Sequence, residues 1–279
     1  SVIAMLMIGI RRSYIATGSI TITGLLVATL VAVSMMDLTN QQVTPLLIID
    51  QYSLLFTVVV CASAMILAVL SFPYFFELDD QREEYFLLLT VATIGAIVMV
   101  SSNHFVSTVL GLETLSMSLY GMIAYPLHSA KSAKFPLEAS VKYLVLSAAA
   151  SGFILFGMAL IYAQTGTLSF ASVTNLPAAG LGDGYTIVAL LMVVSGMAFK
   201  LSLAPFHMWT PDVYEGAPLP ATAYLATIGK AAMFVVLLRF IQISDALSFD
   251  SMVIVLALIA VASMLAGNLL ALLQDNLKR

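Results

Sequence analysis

Three charged residues, Glu113, Lys200 and Lys230, lie within strongly apolar stretches of the sequence. Lys200 follows sixteen uncharged residues and precedes eleven more. A charge at the centre of a membrane helix costs about 2.5–3.5 kcal/mol on insertion scales, so such residues usually have a partner and a task. A carboxylate and two ammonium groups can exchange protons. The pattern therefore predicts a proton or ion path, and the alternative is a set of structural ion pairs.

Composition places these charges in a membrane. The chain is 61% hydrophobic and only 9% charged, with a mean hydropathy of +1.04, whereas soluble domains carry about 25% charged residues. Five uncharged intervals each exceed the roughly 20 residues that cross a bilayer as a helix. They are residues 13–36, 51–76, 85–112, 143–182 and 251–274. The sequence predicts an all-α, polytopic transmembrane protein and excludes an ordinary soluble globule.

The apolar runs also set the expected spans and their orientation. We expect a partial helix at 1–10 and full spans near 14–36, 51–76, 85–102, 104–124, 138–163, 185–209, 219–241 and 251–273. In this predicted topology, the loops on one side of the membrane contain seven basic residues, namely Arg11, Arg12, Arg82, Lys131, Lys134, Lys278 and Arg279. The opposite loops, around 37–50, 164–184 and 242–250, contain no lysine or arginine. The positive-inside rule makes the basic side cytoplasmic.

Two of the predicted spans carry helix-breaking residues beside their central lysines. Pro205 removes the hydrogen bond that the carbonyl of residue 201 would accept, so a break is expected about one turn past Lys200. Ser202, His207 and water are the candidates to satisfy the freed backbone, which is tolerated only inside protein or beside a wet cavity. Gly229 marks a softer interruption directly before Lys230. Interrupted helices with central ionisable groups are typical of ion-coupled transporters.

The remaining ionisable residues of the spans have simpler explanations. Lys142 follows Glu138 by four residues, the favourable order for a helical ion pair, and both a structural and a functional role stay open for it. Arg239 lies near the end of its predicted helix, where it is expected to snorkel to the interface. His104 and His128 are expected at the membrane interface.

Several long motifs resemble a known family. The stretch "FKLSLAPFHMWTPDVYEGAP" resembles the signature of the antiporter-like, proton-translocating subunits of respiratory complex I. "LGLETLSMSLYGMIAY", "LEASVKYLVLSAAASGFILFGMALIYAQTG" and "GNLLALLQDNLKR" resemble the same subunits in the same order. The sequences of these motifs are most similar to the subunit N family of bacterial NADH-quinone oxidoreductases. Subunits L and M and the multisubunit sodium/proton antiporters share the charge pattern.

The resemblance implies a membrane-arm subunit of complex I in the bacterial inner membrane. It would translocate protons, coupled to electron transfer from NADH to quinone in other subunits. FMN, iron–sulfur clusters and quinone would belong to those subunits, with no cofactor and no metal in this chain. Its protein partners would be the antiporter-like subunit M and the small subunits K and J, within a lipid bilayer and without nucleic acid. The family's proton-translocating residues correspond to Glu113, Lys142, Lys200, His207 and Lys230.

The resemblance also implies a domain organisation. The family has fourteen helices in two inverted five-helix repeats, and its second repeat holds a further lysine or glutamate in a broken twelfth helix. Residues 1–102 would be N-terminal transmembrane helices, 103–241 the core of the first repeat, and 242–279 the start of the second. The first helix of the first repeat would begin near residue 85. The chain is expected to hold the first repeat complete and only the beginning of the second, without the outlet half of the proton path.

These residues suggest a mechanism of proton transfer, and two alternative functions stay open. An ionised Glu113 within about 4–6 Å would keep Lys200 protonated, and its withdrawal would release the proton. Water and His207 would then pass that proton to Lys230, and quinone reduction elsewhere would drive the cycle. One alternative is a subunit of a multisubunit sodium/proton antiporter that works without redox partners. The other is a structural subunit whose charges only hold its helices in register.

Overall fold

The structure is a computed structural model of the whole chain. It describes residues 13–37, 41–76, 83–125, 134–175, 184–244, 250–276 and 278. The expected helix at 1–10 lies outside these residues, as do Arg11, Arg12, Arg82, His128, Lys131 and Arg279.

The described residues are mainly helical, and the helices are long and apolar. Seven helical segments, with Leu219–Ser244 counted as one, have the length and composition to cross a membrane, and a further apolar helix, Gly184–Lys200, is shorter at 17 residues. This confirms a multi-pass helical membrane protein. The helices are α1 Tyr14–Ser34, α2 Gln51–Phe76, α3 Glu83–Val100, α4 Phe105–Ala124, α5 Lys134–Thr165, α6 Gly184–Lys200, α7 Trp209–Gly216, α8 Leu219–Tyr224, α9 Lys230–Ser244 and α10 Asp250–Leu272.

The helix boundaries agree with most of the predicted spans. The expected tight turn at 101–104 is present, since α3 ends at Val100 and α4 begins at Phe105. His104 lies at this turn and caps α4, because its Nδ1 accepts a hydrogen bond from the Val106 N–H. A short 3₁₀ helix, Phe170–Asn175, follows α5.

A small β-hairpin occupies the predicted loop between the first two spans. Strand β1, Gln41–Thr44, pairs antiparallel with β2, Leu47–Ile49, so that Gln41 lies opposite Ile49. The Thr44 hydroxyl accepts hydrogen bonds from the backbone N–H groups of residues 46 and 47 and closes the turn. The hairpin leads directly into α2 and so fixes where that helix begins.

Glycines let the central helices approach closely. A Cβ atom on Gly95 would lie 2.7 Å from the Gly111 carbonyl oxygen, so α3 and α4 meet backbone to backbone. Gly196 makes the same kind of contact between α6 and α5, where an added Cβ would lie 2.7 Å from the Ala150 carbonyl oxygen. Close approach through small residues is the usual way for membrane helices to pack. These contacts set the spacing of the helices that carry Glu113 and Lys200.

The predicted span at 185–209 breaks earlier than expected. We predicted a span to residue 209 with a break about one turn past Lys200, but α6 ends at Lys200 itself. Ser202 takes a left-handed conformation (φ 59°), and the Leu203 and Ser202 N–H groups bond back to the carbonyls of Ala198 and Phe199. This is the Schellman closure of a helix C-terminus. It ends the helix before the clash that Pro205 would cause.

The chain after this break is built from short pieces. Residues 201–208 are not regular helix, α7 spans Trp209–Gly216, and α8 begins after Pro218. A π-helical turn, Leu225–Gly229, then joins α8 to α9. This turn confirms the irregularity predicted beside Gly229, and it places Lys230 at the first position of α9.

Candidate functional site

Glu113 lies on α4, where a hydroxyl from α5 contacts it. The Ser151 hydroxyl donates a hydrogen bond of 2.6 Å to Glu113 Oε1. Ser116 lies three residues after Glu113 and therefore on the same face of α4. The carboxylate and this serine together turn a polar stripe of α4 toward α5 and the end of α6.

Lys200 is buried between the same helices. Its side chain is 8% exposed, and its ammonium group donates hydrogen bonds to the hydroxyls of Ser116, at 3.2 Å, and Ser147. Ser147 and Ser151 are four residues apart on α5 and share a face. Glu113 interacts electrostatically with Lys200. In the described part of the chain, however, no ion pair within 4.0 Å joins the two groups, because hydroxyls lie between them.

The structure thus brings two predicted residues together through serines that the sequence reasoning missed. We call Glu113, Ser116, Ser147, Ser151 and Lys200 the serine-bridged cluster. The signal for the serines was their spacing, three residues from Glu113 on α4 and four residues apart on α5, but the sequence does not reveal which helices face each other.

Tyr120 extends this cluster toward the end of α4. Its hydroxyl donates a hydrogen bond of 3.0 Å to Ser147 Oγ, which therefore receives hydrogen bonds from both Tyr120 and Lys200. The ring of Tyr143 packs edge-on against Tyr120, with centroids 5.2 Å apart, and also contacts Trp209. These aromatic rings close one side of the cluster with apolar surface.

Lys230 is positioned differently. It is half-buried at the start of α9, and its ammonium group lies 5.3 Å from the centre of the Tyr214 ring. A cation over an aromatic face is stabilised by about 0.5–2 kcal/mol. Tyr214 on α7 was not among the predicted site residues, and a single tyrosine in an aromatic-rich sequence gives no signal of this contact.

His207 lies in the broken segment between Lys200 and α7. Within the described residues, both of its ring nitrogens are buried without a hydrogen-bond partner. The same holds for the hydroxyls of Ser202, Thr210 and Tyr214. Buried polar groups need partners, and internal water is the usual one. The segment that leads from Lys200 to Lys230 is therefore lined with polar groups suited to hold water.

Lys142 belongs to a separate and more exposed site. Its ammonium group lies 2.9 Å from Glu138 and 3.1 Å from Asp212, with its side chain 43% exposed. The predicted pair with Glu138 is confirmed, whereas Asp212 on α7 is a partner that the sequence did not indicate. These three residues line a cavity of about 820 Å³ that also contacts Glu215 and Lys278.

Arg239 does not snorkel, so that prediction was wrong. The residue is 3% exposed, and its guanidinium pairs with Asp50 at 2.8 Å and lies 4.9 Å from the Tyr52 ring centre. The β-hairpin delivers Asp50 to the start of α2, where it meets Arg239. Burial raises the pKa of Asp50, but hydrogen bonds from Arg239 and the Ser53 N–H, with the charge of Arg239, outweigh burial and hold it below its ordinary value of 3.8.

Among the described residues, no group of three or more His, Cys, Asp and Glu side chains could hold a metal ion. The chemistry that these sites can perform is proton exchange between carboxylate, ammonium, imidazole and hydroxyl groups.

Known structures share this architecture. A chain of respiratory complex I from Thermus thermophilus matches 99% of this chain at 31% identity with a TM-score of 0.81. A chain of an archaeal membrane-bound sulfane sulfur reductase matches 84% of it at 25% identity, with a TM-score of 0.64. A chain of the Mrp complex from Dietzia sp. DQ12-45-1b covers 87% at 20% identity, with a TM-score of 0.72, and shows a shared fold.

The present chain is shorter than these relatives. It spans 58% of the Thermus chain, 52% of the reductase chain and 47% of the Mrp chain. Residues 102–279, well over half of the sequence, match the family model described as NADH:quinone oxidoreductase/Mrp antiporter, transmembrane. The chain therefore belongs to this family of antiporter-like membrane proteins.

Proposed function

We propose that this chain is a proton-translocating membrane-arm subunit of a complex I-type NADH-quinone oxidoreductase, of the subunit N type. Redox chemistry would take place in partner subunits, and subunits of the M, K and J types would be its neighbours in the bacterial inner membrane. The family membership and the 31% identity to a Thermus complex I chain support this proposal. The observation that carries it is the serine-bridged cluster, in which a buried lysine contacts hydroxyls instead of a carboxylate.

Lys200 is suited to carry a proton because its ammonium is held loosely. Its direct partners are neutral hydroxyls, and Glu113 acts on it from behind Ser151 and Ser147. An ionised Glu113 favours the charged lysine, and a neutral or displaced Glu113 favours release. Hydroxyls can both accept and donate hydrogen bonds, so the serines can remain partners of either form of the lysine.

A released proton would follow the broken segment. Ser202 and His207 lie in it and Thr210 lies at the start of α7, each with a polar side-chain atom that is buried without a protein partner among the described residues. Water bound to them would link Lys200 to Lys230, where the Tyr214 ring stabilises the charged ammonium. The polar lining of this route supports the transfer, and its direction depends on events elsewhere in the complex.

The test is proton pumping by the reconstituted complex carrying Glu113→Gln or Lys200→Ala, measured with its NADH-to-quinone turnover. Assembly is checked by the amount of each subunit in the purified complex. We expect an assembled complex in which pumping and coupled turnover both fall at least about tenfold, which corresponds to about 1.4 kcal/mol. Wild-type pumping in both variants would overturn the proposal and favour the structural role.

The second candidate is a subunit of a multisubunit sodium/proton antiporter. The family model covers both kinds of complex, and the Mrp chain shares this fold. Ion exchange across the membrane that persists without NADH and quinone would favour this function, and loss of exchange when either is withheld would favour the first.

A further inference from the structure

The short helix α7 contacts three sites that each contain a lysine. Asp212 lies 3.1 Å from Lys142 on α5. Tyr214 places its ring 5.3 Å from the ammonium of Lys230. At the start of α7, Trp209 stacks on Phe199, next to Lys200, with the ring centroids 5.7 Å apart and the planes within 14°. Its indole N–H also donates to the Phe199 carbonyl at 3.2 Å.

The helix is a short rigid unit. The non-regular segment 201–208 precedes it and Pro218 follows it, so its helical backbone is not continuous with that of α6 or α8. Asp212 and Tyr214 are two residues apart, which places them on nearly opposite faces of a helix. A displacement of the Asp212 face must therefore carry the Tyr214 ring with it.

Contacts at its C-terminal end fix α7 against α5. An added Cβ on Gly216 would lie 2.7 Å from Ala139 Cβ and 2.9 Å from the Phe135 carbonyl oxygen. The Lys278 ammonium donates to the carbonyl of Glu215 at 3.0 Å and to that of Ala217 at 2.7 Å. With this end held, the Lys142–Asp212 pair and the contact between Tyr143 and Trp209 position the rest of α7 against α5.

We propose that α7 couples Lys142 at the cavity to Lys230 in the interior, with Asp212 and Tyr214 as positioning residues. This inference rests on the proposed function, because it assigns the two residues to that proton path. The charge of Lys142 draws Asp212 to α5, so that Tyr214 faces Lys230. Without that ion pair, the Tyr214 ring shifts relative to the Lys230 ammonium group.

The charges suit such a coupling. Both partners of the pair are about half-exposed at a cavity of about 820 Å³, so protons from solvent can reach Lys142. Lys230 is more enclosed, and its ammonium lies over the Tyr214 ring. Losing a cation–π contact would weaken proton binding at Lys230 by about two- to thirtyfold. The ion pair at the cavity would thus set the proton affinity in the interior.

The two carboxylates around Lys142 provide a matched pair of variants. Asp212→Asn and Glu138→Gln each remove one carboxylate at about 3 Å from the same ammonium. Glu138 lies on α5, as Lys142 does, so its loss leaves the link to α7 intact. Only the loss of Asp212 removes the ion pair between α5 and α7, whereas the contacts of Gly216 and Trp209 with α5 remain.

The first experiment measures the environment of position 230 without relying on transport. The assembled complex carries Lys230→Cys, and the rate at which a methanethiosulfonate reagent modifies that cysteine is followed by mass spectrometry. Adding Asp212→Asn should change the rate about fivefold or more, the lower range of measured couplings. Lys142→Gln should give the same change, and Glu138→Gln should give little. Equal effects of Asp212→Asn and Glu138→Gln, or no effect of either, would overturn the coupling.

The second experiment separates the ring of Tyr214 from its hydroxyl. Tyr214→Phe keeps the aromatic face and should keep most of the pumping, whereas Tyr214→Leu should lose several-fold. Similar losses in both variants would contradict a positioning role of the ring. If Lys200→Ala pumps normally, the proposed function fails, and the cysteine reaction still decides whether α7 couples the two positions.

Discussion

Two buried cations in neighbouring spans are held in opposite ways. Arg239 on α9 binds Asp50 directly at 2.8 Å and packs on the Tyr52 ring. Lys200 at the end of α6 contacts only the hydroxyls of Ser116 and Ser147 among its described hydrogen-bond partners, and Glu113 is bonded by a different serine, Ser151. Both side chains are largely removed from solvent, at 3% and 8% exposed.

The difference teaches which charge is fixed and which can change. An arginine is not deprotonated in proteins, so a direct pair with a carboxylate serves as a permanent link. Lysine changes its protonation readily when it is buried. Neutral hydroxyl partners then leave the lysine free to release its proton. The Arg239 pair fastens the hairpin and α2 to α9, whereas the serine-bridged cluster is the place where we propose that the charge changes.

The largest effect should come from breaking the fixed pair. Asp50→Asn leaves the Arg239 guanidinium buried without its countercharge, which costs about 3 kcal/mol or more for a buried pair. We expect the complex to lose this subunit at a clearly lower temperature, measured by the amount retained after heating in detergent. Any pumping that survives per assembled complex should have a normal proton-to-electron ratio, because this pair is outside the proposed path.

The control for that variant is Asp37→Asn, which neutralises an exposed aspartate after α1. It should leave the retention temperature unchanged. Adding Arg239→Met to Asp50→Asn should recover part of the loss, since the stranded charge is then removed. A stable Asp50→Asn complex with a reduced proton-to-electron ratio would reverse the roles assigned to the two regions.

A smaller effect is expected when the serine-bridged cluster is weakened. Ser147→Ala removes one partner of the Lys200 ammonium, and hydrogen bonds to charged groups contribute about 1.5–3 kcal/mol. We expect the complex to assemble and the pumping rate to fall about tenfold or more, measured with pH-sensitive dye in proteoliposomes.

Ser118→Ala is the matched control for Ser147→Ala. Ser118 is also a buried serine, but its hydroxyl donates to the Thr114 carbonyl of its own helix. Its loss should leave pumping nearly unchanged. Equal losses in the two serine variants would mean that helix packing, and not the contact with Lys200, controls transport.

The sequence predicted the helices and their interruptions because these are local properties. Uncharged runs set the spans, Pro205 indicated the break, and Gly229 indicated the irregular turn before Lys230. Partners across helices were not predictable, because they depend on which faces meet. Asp50 and Arg239 are 189 positions apart, and Asp212 and Lys142 are 70 apart. The expected snorkelling of Arg239 failed for this reason, since only the fold brings a carboxylate to it.

The smallest predicted effect is the acid sensitivity of the fixed pair. The folded-state pKa of Asp50 lies below its ordinary value of 3.8, so its contribution to stability is fully present above that value. The contribution is lost as the pH falls through the folded-state pKa. We expect the retention temperature of the wild type to drop below about pH 4 by more than that of Asp50→Asn. Parallel curves for the two proteins would show that Asp50 does not contribute in this range.

The central claim is that Lys200 works by releasing its proton, and Lys200→Arg tests it most directly. Arginine keeps the positive charge and can bond to the same serines, but it does not give up its proton. Pumping by the assembled complex should therefore be as low with Lys200→Arg as with Lys200→Ala. Pumping near the wild-type level with Lys200→Arg would contradict the account and make Lys200 a structural charge.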